Sequence, residues 1–251
     1  MEQIPLADLR GISKRFGGVV ALDNIEFTIY PGEIIGLVGD NGAGKSTLIK
    51  VLSGAYAPDQ GEIFFQGSPV QIRNPRTAKE LGIETVYQDL ALVDTLDVPG
   101  NIFLGRELIR FGWGPVRVLD KVRMAQKAGE ILKKLGVPLR NFNSEAGLLS
   151  GGQRQSLAIG RAIFTEPKLV ILDEPTAALA VREVDHVLDL MRNLRTQHIG
   201  LVFISHVLQE VFAVADRIVV LRNGKKVADL RTKETSMDVV VNCMIGQVNG
   251  D

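Results

Sequence analysis

Residues 33–54, EIIGLVGDNGAGKSTLIKVLSG, restrict the fold of this chain more than any other stretch. Residues 33–38 form an apolar run that reads as a buried strand, and 45–53 carry helical spacing. Between them Gly39, Asp40, Asn41, Gly42, Ala43, Gly44, Lys45 and Ser46 match the glycine, four residues, glycine, lysine, serine-or-threonine spacing of a phosphate-binding loop. The glycines let the backbone curl so that successive N–H groups face inward. The helix that follows adds its positive end, which makes a socket for di- and triphosphate oxygens. Lys45 is placed to reach the β- and γ-phosphates and the Ser46 hydroxyl to bind Mg²⁺. A glycine-rich turn that merely carries a lysine accounts for one of these features, whereas here strand, spacing, Lys-Ser pair and helix agree.

Further short β-rich runs at 25–30, 62–66, 84–87, 168–172, 200–205 and 216–222 alternate with helical patterns at 75–81, 120–135, 151–165, 181–197 and 207–214. Such alternation predicts a mostly parallel sheet between helices, with an antiparallel N-terminal portion. The stretch 89–165 has few strand signals and reads as a helical insertion, leaving 1–88 and 166–251 as the core of one domain. Twenty-nine basic and 29 acidic residues cancel, so no overall charge favours a nucleic-acid partner or an anionic membrane, and an anion must be held locally. The single cysteine, Cys243, fits a reducing compartment. No signal peptide is apparent, and runs such as GLVFI fall far short of the ~18 residues of a membrane span, so any crossing of a membrane is expected of other chains.

KLVILDEPTAAL places Asp173 and Glu174 just past the run 168–172. Strand C-terminal ends in a parallel sheet share one edge, so these acids are expected beside the phosphate loop. Asp173 is then placed to hold Mg²⁺ through water, and Glu174 to orient or deprotonate an attacking water. Alone, an Asp-Glu pair after an apolar run is an ordinary solvated loop; the phosphate loop changes that balance. His206, in GLVFISHVLQEV, follows the next strand to the same edge, where an imidazole can hydrogen-bond a γ-phosphate oxygen. Gln88 ends the strand at 84–87, and its amide can reach both Mg²⁺ and the lytic water.

LLSGGQRQSLAIGRA, residues 148–162, opens a helix on two glycines. Ser150 and Gln153 fit a capping box. Gly151 and Gly152 do not serve it, and each costs roughly 1 kcal/mol relative to alanine inside a helix. Bare backbone is useful where an anion approaches N–H groups. One nucleotide is not easily gripped by two helix N-termini of the same small domain, so this second socket is expected to serve a neighbouring molecule, in a head-to-tail pair.

With LSGGQ the chain resembles the ATP-binding subunits of ABC transporters over residues 5–245. The resemblance implies an α/β fold of the P-loop NTPase type, an ABC ATPase cassette with an antiparallel β subdomain and a helical insertion. It implies that Gly39 through Thr47 is the Walker A loop, Asp173 and Glu174 the Walker B pair, Gln88 the Q-loop residue and His206 the switch histidine. Ser150, Gly151, Gly152 and Gln153 become the signature acting in trans, and Phe16, in ISKRFGGVVAL, the aromatic that stacks on adenine. NIFLGRE (101–107) and LDEPTAAL (172–179) are similar to the monosaccharide-importer branch of ribose, xylose or fructose type, most of all to its single-cassette fructose members. That branch implies ATP and Mg²⁺ as cofactors, ABC permease subunits as partners, an indirect link to a sugar-binding receptor, and a homodimer of cassettes. It implies a peripheral position on the cytoplasmic face of the inner membrane. A nucleotide-binding regulatory subunit or a non-transport ABC ATPase is the alternative. Ala180 departs from the wider family, which often has Asp at that place in the D-loop.

Overall fold

The run expected as the first buried strand is β3 (Ile34–Val38), buried at every position, as a strand covered on both faces must be. The computed structural model describes residues 4–113, 116–137 and 142–247. In it β3 lies inside a six-stranded sheet ordered β12 (Lys225–Arg231), β11 (Arg217–Arg222), β3, β10 (Gly200–Ile204), β9 (Leu169–Asp173) and β6 (Ile83–Val86). The pairs from β11 to β6 are parallel, and β12 closes one edge antiparallel to β11. A second, antiparallel sheet is ordered β2 (Val19–Ile29), β1 (Ala7–Phe16), β4 (Gln60–Phe65) and β5 (Ser68–Val70).

Side-chain alternation along the central strands divides the interior in two. Ile35, Leu37, Leu169 and Ile171 face one core, shared with the antiparallel sheet and with α1 (Lys45–Leu52). α2 (Pro75–Leu81) adds Ala78 to this side. Ile34, Val38, Val170 and Leu172 face the other core, which continues through α5 (Gly151–Ile163) into α3 (Val98–Ile102) and α4 (Lys121–Lys134). α6 (Val181–Thr196), α7 (Leu208–Val214) and α8 (Met237–Ile245) cover the remainder of that face.

The stretch read as a helical insertion holds α3, α4 and α5, and also a hairpin absent from that reading, β7 (Ile109–Trp113) with β8 (Val116–Leu119). Ile109, Phe111, Val118 and Leu119 are exposed, Phe111 at 64%, so they form no buried stripe to mark the strands in the sequence. Among the described residues no helix is long and apolar enough to cross a membrane.

Candidate functional site

Between β3 and α1 the backbone curls through positive φ at Gly39 (145°), Gly42 (79°) and Gly44 (107°). A Cβ on Gly39 would stand 2.2 Å from the Leu221 carbonyl oxygen, and one on Gly44 2.7 Å from that of Ala21, so conformation and space both require glycine. Gly44 caps α1 without a side chain, and no acid stands in its first turn, so its leading N–H groups have no side-chain partner. Lys45 Nζ folds back to donate to the carbonyls of Gly39 at 2.6 Å and Asp40 at 3.0 Å. Burial pushes this ammonium below its ordinary value, against the raising influence of Glu174, Asp40 and Asp173.

Parallel pairing sets Ile204 opposite Asp173, so β10 and β9 run out at one level. Val86 of β6 is level with Leu172, which delivers Gln88 to the same edge. Glu174 turns there with φ 48°, its N–H donating to the Ile204 carbonyl at 3.1 Å. Its carboxylate accepts from Gln88 Nε2 at 3.2 Å and lies 3.5 Å from His206 Nδ1. Burial first, and then the charge of Glu174, raise the Asp173 carboxyl above its ordinary range, while Lys50 and Lys45 oppose them. A carboxylate held this way favours an added positive charge.

Glu210 ties the loop after β9 to the loop after β10. It accepts from Thr176 Oγ1 at 2.5 Å and Ser205 Oγ at 3.1 Å, and Ser205 Oγ in turn accepts from the Val207 N–H at 3.0 Å. The residues flanking Glu174 and His206 are thereby joined. An acid in the first turn of the helix after His206 is the only trace of this in the sequence.

At the start of α5 the capping box is formed: Gln153 N–H donates to Ser150 Oγ at 3.3 Å, and Gln153 Oε1 accepts from the Ser150 N–H at 3.0 Å. The two glycines differ. Gly151 is exposed, while Gly152 is buried against α6, where a Cβ would meet Glu183 Cβ at 2.8 Å. Donors of Ser150, Gly152 and Ala180 near the Glu183 carboxylate hold it below its ordinary range. Gly152 thus has a packing reason within its own chain. Ala180 cannot cap α6 with a side chain, and Glu183 Oε2 takes up its N–H at 3.3 Å.

The sheet edge brings together the phosphate loop (Gly39, Asp40, Asn41, Gly42, Ala43, Gly44, Lys45, Ser46 and Thr47) with Gln88, Asp173, Glu174 and His206. Phe16 lies instead at the end of β1 in the antiparallel sheet, and Ser150, Gly151, Gly152 and Gln153 lie at the start of α5. Phe16 is 43% exposed, packing edge-on to Tyr56 with ring centroids 5.1 Å apart, so it is not a core residue.

A family model described as ABC transporter matches residues 22–177. A fructose import ATP-binding protein of Rhizobium meliloti is 46% identical over 98% of this chain and 96% of its own length. A xylose/arabinose import ATP-binding protein of Sulfolobus acidocaldarius is 42% identical over 97% of each chain. A ribose import ATP-binding protein of Rubrobacter xylanophilus is 45% identical over 97% of this chain, which spans 47% of that relative's length. Among solved structures, the ADP conformation of an ATP-binding cassette of an ABC transporter has a TM-score of 0.84 and 29% identity, covering 97% of this chain and all of that one. Loop, acids and sheet edge agree with these likenesses: the chain belongs to the ABC transporter family and is one of its ATP-hydrolysing cassettes.

Proposed function

We propose that this cassette energises monosaccharide import by pairing with a second copy across ATP, and that it sits peripherally on the cytoplasmic face of the inner membrane against ABC permease subunits. A sugar-binding receptor engages the same permease and never touches this chain. Residues 1–88 and 166–251 serve as nucleotide-binding core and 89–165 as the insertion that meets the permease, within one ABC ATPase domain. Import ATP-binding relatives that match nearly end to end support the sugar branch.

The observation that carries the mechanism is the convergence of Gln88 and His206 on Glu174 beside Lys45 and Asp173. The uncapped N–H groups of α1 and the loop amides take the phosphates of ATP, and the Lys45 ammonium leaves its own carbonyls for the β- and γ-oxygens. Phe16 stacks on the adenine. Glu174 accepts a proton from the attacking water, which Gln88 and His206 orient. The residues fit a magnesium-bound nucleotide, since Asp173 already favours added positive charge and Ser46 and Gln88 add oxygen donors. When bound, Mg²⁺ neutralises charge on the phosphates.

Ser150, Gly151, Gly152 and Gln153 then close on the ATP of the other copy. Leu148 and Val181, each 80% exposed, lie beside that helix start and the D-loop, where a second copy would cover them. Phosphate release by the purified chain tests the scheme: specific activity rises with protein concentration if two copies complete each site. Constant specific activity across a hundredfold range overturns it.

A further inference from the structure

Two arginines on α5 grip the loop that carries Gln88. Arg154 and Arg161 are seven residues apart, two turns, and so share one face of the helix. Arg154 Nη1 lies 2.7 Å from Asp94 Oδ1. Arg161 spans two successive carbonyls, Nη1 donating to Ala91 at 2.7 Å and Nη2 to Leu90 at 2.6 Å. These carbonyls belong to a segment with no helix or strand, in which Ala91 has φ 48°. They have no ladder to hold them, and a planar fork of donors matches two carbonyls where the single point of a lysine does not. Asn101, fully buried, fixes the far end of the loop, accepting from the Val93 N–H at 2.8 Å and donating to the carbonyls of Val93, Leu96 and Asp97.

We propose that Arg161 is a positioning residue for hydrolysis: by clamping Leu90 and Ala91 to α5 it sets where Gln88, two residues earlier, stands against Glu174. The inference rests on the role given to Gln88 above. Arg161 touches no reacting atom. Because α5 begins at Ser150, Gly151 and Gly152, the clamp also refers Gln88 to the helix expected to meet the other copy's nucleotide. Burial holds the guanidinium below its ordinary pKa, with Glu84 opposing and Arg106 assisting, so its partners compensate a group taken from water.

The test is a double-mutant cycle in the full chain, with ATP hydrolysis as readout. Arg161→Lys is expected to lower kcat at least about fivefold while KM for ATP and the unfolding midpoint hold, and to cause no further loss in a Gln88→Ala background. Should Arg161→Lys fail to fold, Arg154→Lys, which loosens the other grip, is expected to give a smaller loss with the same non-additivity. A fall of equal size in the Gln88→Ala background, or wild-type kcat beside a real Gln88→Ala defect, overturns the clamp alone. A Gln88→Ala chain with wild-type turnover removes the role of Gln88 and the clamp with it.

Discussion

Gln88 donates its side-chain amide to Glu174 across 3.2 Å, although 86 residues separate them in the chain. Parallel register produces this meeting, since β6 and β9 end at one level and each delivers a polar residue past its last buried position. Glu174 therefore stands among groups able to orient water, while Asp173, one residue earlier, lies half-buried beside Lys45 and Lys50.

Asp173 weakens the nucleotide-free fold at neutral pH. Burial and the charge of Glu174 raise its carboxyl, so the native state binds this proton more tightly than the unfolded chain does. Stability present at low pH is thus lost as pH rises from the ordinary carboxylate range through the raised value. Asp173→Asn is expected to raise the unfolding temperature of the free chain above that window and leave it unchanged below, while abolishing hydrolysis. Thermal unfolding across pH checks the first part and phosphate release the second.

Gly151 and Gly152 separate function from packing. An alanine Cβ at 152 would stand 2.8 Å from Glu183 Cβ and 3.0 Å from its Cδ. Overpacking of about 1–3 kcal/mol, less a helix-propensity gain of about 1 kcal/mol, leaves Gly152→Ala destabilised by up to about 2 kcal/mol in urea unfolding. At 151 the Cβ would meet only the far ends of two side chains, Leu179 Cδ2 at 3.0 Å and Glu183 Oε2 at 3.7 Å, so Gly151→Ala is expected to keep its stability and lose ATP-driven pairing.

Phe16 is open to a base on 43% of its surface and packs its remainder near Tyr56. A base stacked on an aromatic ring is worth about 1–3 kcal/mol, so Phe16→Ala is expected to weaken ATP binding roughly tenfold or more, while loss of the Tyr56 contact costs the fold only about 0.5–1.5 kcal/mol. Nucleotide titration and thermal unfolding measure the two quantities.

Arg217 joins the two sheets. It pairs with Glu33 at 2.7 Å and Asp229 at 2.9 Å and also donates to the Thr28 carbonyl. Removing one partner of a mostly buried network leaves the rest uncompensated, so Arg217→Met is expected to cost about 3 kcal/mol in unfolding, with nucleotide affinity retained in the folded fraction.

The phosphate loop, the acids at the end of β9 and the histidine after β10 are legible because each follows a short apolar run and parallel topology sends such runs to one edge. The antiparallel β1 is half exposed along its length and gives no comparable run. The hairpin of β7 and β8, with Ile109 and Phe111 in solvent, hides for the same reason. Arg161 and the Glu210 tie to Thr176 are hidden for another, since only folding brings their partners near. Spacing alone marks the glycine pair at 151 and 152 as one anion socket, while the fold also packs Gly152 against Glu183 on α6.

Glu174→Gln keeps the size and amide-bonding geometry of the side chain and removes the proton acceptor. The decisive measurement is sedimentation of this variant with saturating ATP, alongside its hydrolysis rate. Turnover slowed at least about 100-fold, undiminished ATP binding and a stable dimer are the expected results. Hydrolysis at the wild-type rate, or single chains only at every ATP concentration, would contradict them.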